Sequence, residues 1–390
     1  MTHSFRLIEQ IQFLNQQRLQ NVKGAHEDML AAILELKYEV QRPWDTLWEN
    51  RFQMFCSFGK RMAIEMGLVQ AITDRGGAPV SSKDLGAGTR FDQGLIERLL
   101  RLLASMRLID MTGKNEFKAT EVTTLLNSKG STAYDKIFFD WLCPVGANIV
   151  RCINATGLPQ FPESGQQGPF EYAFGVPFYE HIAQRPGLKQ DFDLAMSAKR
   201  DGLVPQWFHV YPVMEELETG VIVDVAGNKG YELVSLAAEH PEFEGTLILE
   251  DLPSTFAQMN EEEQSKIKDA GIRLQEYDFF TPQPIKGANI YFIRDVLHDW
   301  PDKEAVQLLS QTAEAMEPGR SRLLIEDHVV DDENIHPTAA AKDILMLLTL
   351  NGIERTLEQW KVLLEDSGLM IVKVWPDGPD HPSIIEAVKT

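Results

Sequence analysis

His298 is the side chain in this sequence whose setting points first to chemistry. It stands in Leu297-His298-Asp299-Trp300-Pro301-Asp302, just after the apolar run Ala288-Asn-Ile-Tyr-Phe-Ile. An imidazole changes charge near neutral pH, and a carboxylate that fixes its tautomer equips it to take a proton from a hydroxyl. Two glutamates are candidates for that partnership. Glu326 ends Arg322-Leu-Leu-Ile-Glu, and Glu354 opens Glu354-Arg355-Thr356. From spacing alone the plainer reading is the stronger one: a loop histidine, a capping glutamate and a surface charge.

A second group of residues has the order of a ligand-binding edge. Asp224-Val-Ala-Gly-Asn-Lys-Gly230 lies between a strand-like and a helix-like stretch. A turn there offers backbone N–H groups and a helix N-terminus to a ligand. Asp251 follows the next strand directly, where a carboxylate accepts bonds from ribose hydroxyls. Asp278-Phe279 offers a carboxylate and a ring for an adenine. Each alone is common, since a lone Asp at a strand end is usually a helix cap. Their order along one chain is more specific.

The elements that must hold these residues show in the periodicity. From residue 221 strands and helices alternate: strands at 221–225, 246–250, 288–293 and 322–326, with helices at 231–240, 303–316, 338–349 and 357–367. Strands at 369–375 and 383–387 close the pattern. Continuous apolar strands alternating with helices predict a Rossmann-like α/β domain whose parallel sheet is covered on both faces. Residues 1 to 75 read as helices, and the segment from Trp44 carries Trp48, Phe52, Phe55, Phe58, Met62 and Met66 on one face. Between Val80 and Leu126 two helices precede a pair of short strands near 108–111 and 116–119, in the manner of a winged helix. Residues 130–215 are helical with breaks, including the Gly- and Pro-rich stretch from Gly157 to Gly168.

This gives three expected regions: an N-terminal helical, winged-helix-like dimerisation domain over 1–128, a helical connecting and substrate-pocket region over 129–215, and a Rossmann-like cofactor-binding catalytic domain over 216–390. A net charge of −21 argues against nucleic acid as the partner of the winged-helix-like part, and against an anionic membrane surface. No run reaches the length of a membrane span. Three scattered cysteines, Cys56, Cys143 and Cys152, form neither a disulfide framework nor a metal motif. The start lacks a signal-peptide pattern, so the expected location is the cytoplasm.

Residues 221–360 resemble the class I, S-adenosylmethionine-dependent O-methyltransferases of the plant caffeate and fungal secondary-metabolite type. The matching pieces are Val223-Asp-Val-Ala-Gly-Asn-Lys-Gly, Asp251-Leu252-Pro253, Tyr277-Asp-Phe-Phe, Leu297-His-Asp-Trp-Pro-Asp, Leu324-Ile-Glu and Glu354-Arg-Thr. Arg98-Leu-Leu-Arg-Leu-Leu-Ala-Ser resembles that family's dimerisation domain, which implies a homodimer through the N-terminal helices. The resemblance implies that Asp224, Gly227, Gly230, Asp251, Leu252, Asp278, Phe279 and Arg294 hold S-adenosylmethionine. It makes His298 the general base, flanked by Glu326 and Glu354. Phe192, Met196, Asp299 and Met346 fall where the family lines its acceptor pocket. No metal is needed for methyl transfer to a hydroxyl of a small aromatic or polyketide-type molecule.

The chain departs from the family at the turn after the first strand. Ala226 and Asn228 stand where glycines are usual. Glycine permits positive φ and close backbone approach, and asparagine tolerates positive φ best of the rest. These changes open an alternative: some fungal proteins of this fold act as pericyclases, catalysing a cycloaddition or rearrangement without methyl transfer. In that reading His298 and Lys136 would donate hydrogen bonds to a substrate carbonyl. Retention of His298, Glu326 and Glu354 together favours methyl transfer. A non-enzymatic scaffold built on the winged-helix-like part is disfavoured on the same ground.

Overall fold

Helix Gln93–Ser105 shows how the apolar pattern becomes structure in the N-terminal part. Asp92 caps it, accepting the Leu95 N–H at 2.9 Å, and Ile96, Leu99, Leu100 and Leu103 are buried along one face. They pack with Leu68, Ile72, Leu85, Ile109 and Phe117 in one core. The two wing strands are present as β2 (Asp110–Gly113) and β3 (Glu116–Lys118), joined by β1 (Val80–Ser81) in the order β1-β3-β2. The computed structural model describes residues 3–157, 167–200, 206–217, 219–333, 335–376 and 381–390. Most of the Gly- and Pro-rich stretch, 158–166, lies outside them.

The chain divides into two units. The first comprises 1–144 with 179–202, and the second 145–178 with 203–390. The segment 129–215 is thus shared between them. In the first unit, helix Pro43–Glu65 presents Trp44, Trp48, Phe52 and Phe55 as a ladder of ring contacts 5.2–5.7 Å apart.

The second unit is built on a seven-stranded sheet. Its strands are β4 (Val221–Val225), β5 (Thr246–Asp251), β6 (Arg273–Glu276), β7 (Ile290–Arg294), β8 (Arg322–Asp327), β11 (Leu369–Trp375) and β12 (Ser383–Lys389), in the order β11-β12-β8-β7-β4-β5-β6. β9 (Val329–Val330) and β10 (Arg355–Thr356) form a separate parallel pair. Alternate side chains serve the two faces. Val223, Ile248, Tyr291, Leu323 and Ile325 pack with Leu308, Leu309, Trp360 and Leu363. Ile222, Leu247, Leu249, Phe292 and Leu324 pack with Trp207, Leu233 and Leu236. The sheet is not wholly parallel as the alternation predicts. β12 runs antiparallel to both β8 and β11, because β11 and β12 follow each other with too short a connection for a crossover. β6 is a further strand without an apolar run: Arg273-Leu-Gln-Glu sits on the sheet edge and is largely exposed.

β4 lies between β5 and β7, so the chain winds outward from it in both directions. The C-terminal ends of β4, β5, β7 and β8 therefore meet on one edge, where sheets of this kind bind ligands. Asp224, Asp251, Arg294 and Glu326 all lie there.

Candidate active site

The turn after β4 keeps the shape that a glycine-rich turn would take. Ala226 (φ 59°), Asn228 (φ 55°) and Gly230 (φ 74°) are all left-handed. Ala226 and Asn228 thus both adopt the left-handed backbone that glycine takes most easily, at a strain of about 1–2 kcal/mol for Ala226. Gly227 and Gly230 admit no side chain. A Cβ at Gly227 would lie 2.3 Å from the Asp224 carboxylate, and one at Gly230 would lie 2.6 Å from Ile267. Helix Tyr231–Glu239 begins immediately after.

Asp251 ties this turn to the end of β5. It accepts the Asn228 N–H at 2.8 Å and the Leu252 N–H at 2.7 Å. Each carboxylate oxygen has a second lone-pair direction for a ligand hydroxyl. Behind it, Glu250 is fully buried, accepts from Gln283 Nε2 at 2.8 Å, and is pushed up to about 7 by burial. The Glu250 carbonyl accepts the Gly227 N–H. Asp278 is exposed and caps its own turn through the Phe280 N–H, and Phe279 meets Phe280 and Trp300 edge-on.

His298 sits in the short 3-10 turn Leu297–Asp299 beyond β7 and is 7% exposed. Nδ1 lies 3.0 Å from Glu354 Oε1 and 3.2 Å from Asp327 Oδ1, while Nε2 lies 3.4 Å from Asp299 Oδ1. Asp295 is also close: one atom each of Asp295, His298 and Asp327 fall within 4.8 Å of one another. Burial by itself lowers the pKa of His298, but Asp327 and Glu354 outweigh it and hold the ring well above the usual imidazole value. Burial pushes the Glu354 carboxyl up against the pull of His298.

Two of the expected residues have partners that the sequence did not reveal. The second carboxylate beside His298 is Asp327, not Glu326. Neighbouring residues of a strand point to opposite faces, and Glu326 points instead toward Arg294, 3.5 Å from its Nε. Sequence reasoning missed Asp327 because the strand's phase cannot be read to one residue at its end. Arg294, expected at the cofactor, is engaged inside the protein. It is bonded to Glu232, lies near Asp295 and Glu326, and its side chain is 8% exposed. Of the acceptor-pocket expectations, Asp299 lies against His298, and Met346 is half-buried on helix Pro337–Leu350 of the same unit. Lys136, Phe192 and Met196 belong to the first unit, where Lys136 pairs with Asp191 at 3.3 Å.

Comparison with known proteins places this arrangement. Residues 159–370 match the O-methyltransferase domain, and residues 59–129 match the O-methyltransferase dimerisation domain. The demethylsterigmatocystin 6-O-methyltransferase of Aspergillus parasiticus is 30% identical over 349 residues, covering 87% of either chain. The methyltransferase cfoC of Aspergillus candidus is 28% identical, covering 94% of this chain and 92% of its own. Among solved structures, one described as a pericyclic reaction enzyme superimposes with a TM-score of 0.85 at 25% identity, over 99% of this chain and all of the other. OxaC in complex with sinefungin and meleagrin gives 0.80 at 25% identity, over 99% of both chains.

Proposed function

We propose, since this chain belongs to the O-methyltransferase family, that it transfers a methyl group from S-adenosylmethionine to a hydroxyl of a small aromatic or polyketide-type secondary metabolite, with His298 as general base. The observation that carries this reading is the buried imidazole whose Nδ1 faces two carboxylates, leaving Nε2 as the nitrogen to act on an acceptor.

The residues at the sheet edge fit the cofactor. Gly227 and Gly230 let the turn pack closely over Asp224, Leu249 and Ile267, and Asp251 has acceptor capacity left for ribose hydroxyls. Asp278 and Phe279 would flank the base, with Leu252 beside them. The Asp224 carboxylate lies against Gly227 of the turn. Bound there, S-adenosylmethionine supplies a methyl group already activated on a sulfonium, so the protein's work is alignment and proton removal.

His298 performs the proton removal. In such a transfer His298 would accept the hydroxyl proton of the acceptor at Nε2. Glu354 and Asp327 stabilise the imidazolium formed, and their position at Nδ1 leaves Nε2, beside Asp299, for the task. Asp299 and Met346 are proposed to shape the acceptor pocket, and the N-terminal helices to form a homodimer.

The test is His298→Gln assayed for methyl transfer and, by calorimetry, for S-adenosylmethionine affinity. Loss of transfer with affinity retained is the expected result. Full transfer by the variant removes His298 from the mechanism. The similarity to a pericyclic reaction enzyme supports a second reading, cycloaddition or rearrangement on the same fold. Conversion of acceptor without consumption of S-adenosylmethionine would select it.

A further inference from the structure

We infer that Arg355 is the positioning residue that fixes His298 in place, an inference that rests on His298 being the base. Its guanidinium is wholly buried and spans the turn that carries the histidine. Nη1 donates to the Leu297 carbonyl at 2.8 Å, on one side of His298. Nη2 donates to the Trp300 carbonyl at 2.8 Å, on the other side. Nε and Nη2 both donate to Asp302 Oδ1, at 2.9 and 2.8 Å. The planar fork thus brackets the turn at two backbone carbonyls and one carboxylate. A lysine ammonium, as a single point of charge, cannot reach all three together.

The same arginine is tied to the carboxylate side of the site. Its Cζ stands 5.4 Å from the Trp360 ring centre, and Trp360 Nε1 donates at 3.0 Å to the carbonyl of His328, the residue after Asp327. In the β9–β10 pair, Arg355 is in register with Val329. The residues just before it touch His298 as well. The Ile353 N–H donates to the His298 carbonyl at 2.9 Å, and Glu354 meets the ring. Gly352 lies so close that a Cβ would stand 2.0 Å from the His298 carbonyl oxygen. One short segment therefore sets the position of the histidine relative to both carboxylates, and Arg355 is its anchor. A catalytic group displaced by about 1 Å loses on the order of a hundredfold in rate.

The experiment reads the ring itself in the free, full-length protein. His298 is followed by carbon-13 NMR of histidine-labelled protein across a pH titration, its signal assigned by its loss in H298Q. In R355K the midpoint is expected to fall by about 1 pH unit, because the ring moves away from Asp327 and Glu354. D302N, altered at a largely exposed side chain, and G352A are expected to move it the same way. An arginine that only stabilises the fold would lower the melting temperature and leave the midpoint in place. A folded R355K with the wild-type midpoint overturns the inference. Should R355K not fold, a wild-type midpoint in folded D302N overturns it equally, since Asp302 is the arginine's carboxylate partner. This readout needs neither acceptor nor cofactor, so it stands apart from the fate of the base: H298Q retaining methyl transfer would remove the base and leave the positioning result intact.

Discussion

Glu250 offers a test of the sheet edge that is independent of any substrate. The residue is fully buried at the end of β5, one position before Asp251, with Oε2 accepting from Gln283. Burial raises its pKa from 4.5 to about 7. The folded state thus binds a proton more tightly than the unfolded chain. Its contribution to stability is highest below the unfolded value and is lost as pH rises from there through the folded value. With about 1.4 kcal/mol for each pH unit separating the two, the loss by about pH 8 amounts to roughly 3 kcal/mol. Glu250→Gln removes this titration. The amide keeps the acceptor for Gln283 but buries N–H groups where Oε1 has no hydrogen-bond partner among the described residues, a cost of about 1–3 kcal/mol at every pH. Absolute stabilities mix the two effects, whereas their pH dependence does not. Urea unfolding of both proteins at a series of pH values, followed by circular dichroism, gives the difference directly. Between about pH 5 and pH 8 the variant should gain roughly 2.5 kcal/mol on the wild type. A difference that stays constant over that range refutes the reasoning.

Asp251→Ala should weaken S-adenosylmethionine binding by about 1.5–3 kcal/mol, from lost hydrogen bonds to a carboxylate, as read by calorimetry. At the altered turn, Ala226→Gly should stabilise the fold by about 0.5 kcal/mol, since relief of left-handed strain slightly exceeds glycine's extra chain entropy. Gly230→Ala should cost about 2–4 kcal/mol, combining that strain with a methyl group pressed against Ile267 and Leu249, and urea unfolding measures both. The exposed ring ladder of Trp44, Trp48, Phe52 and Phe55 should be covered by a second copy of the chain, so light scattering should report twice the monomer mass.

The parts of the structure visible in the sequence are those with a strong period. Val221–Val225 and Ile290–Arg294 are buried on both faces and read as strands, and helix Gln93–Ser105 reads from its apolar stripe and its Asp92 cap. β6 escaped because an edge strand needs no apolar run. The direction of β12 escaped because periodicity carries no information on whether neighbours run parallel. At the site, His298 and Glu354 were found by motif and meet in space. The exchange of Glu326 for Asp327 turned on the phase of one strand end. The engagement of Arg294 by Glu232 involves residues 62 positions apart, and only the fold brings them together.

The protonation of His298 separates the two functional readings. A base must be neutral before it acts, whereas a hydrogen-bond donor to a substrate carbonyl works best when charged. Two carboxylates at Nδ1 outweigh burial and hold the ring well above the ordinary imidazole value, which favours its charged form. That coupling also stabilises the fold below the ordinary imidazole value and is lost as pH rises through the raised one. Methyl transfer should therefore speed up as pH rises through the titration of His298, and should fall away on the acid side. A bound sulfonium, being a cation, moves the midpoint downward without changing that sign. A pericyclic reaction assisted by the imidazolium should show the opposite slope over the same range. Initial rates measured across that range, with H298Q as the control for titrations elsewhere, give the sign directly. Methyl transfer that declines with rising pH would contradict the general-base role.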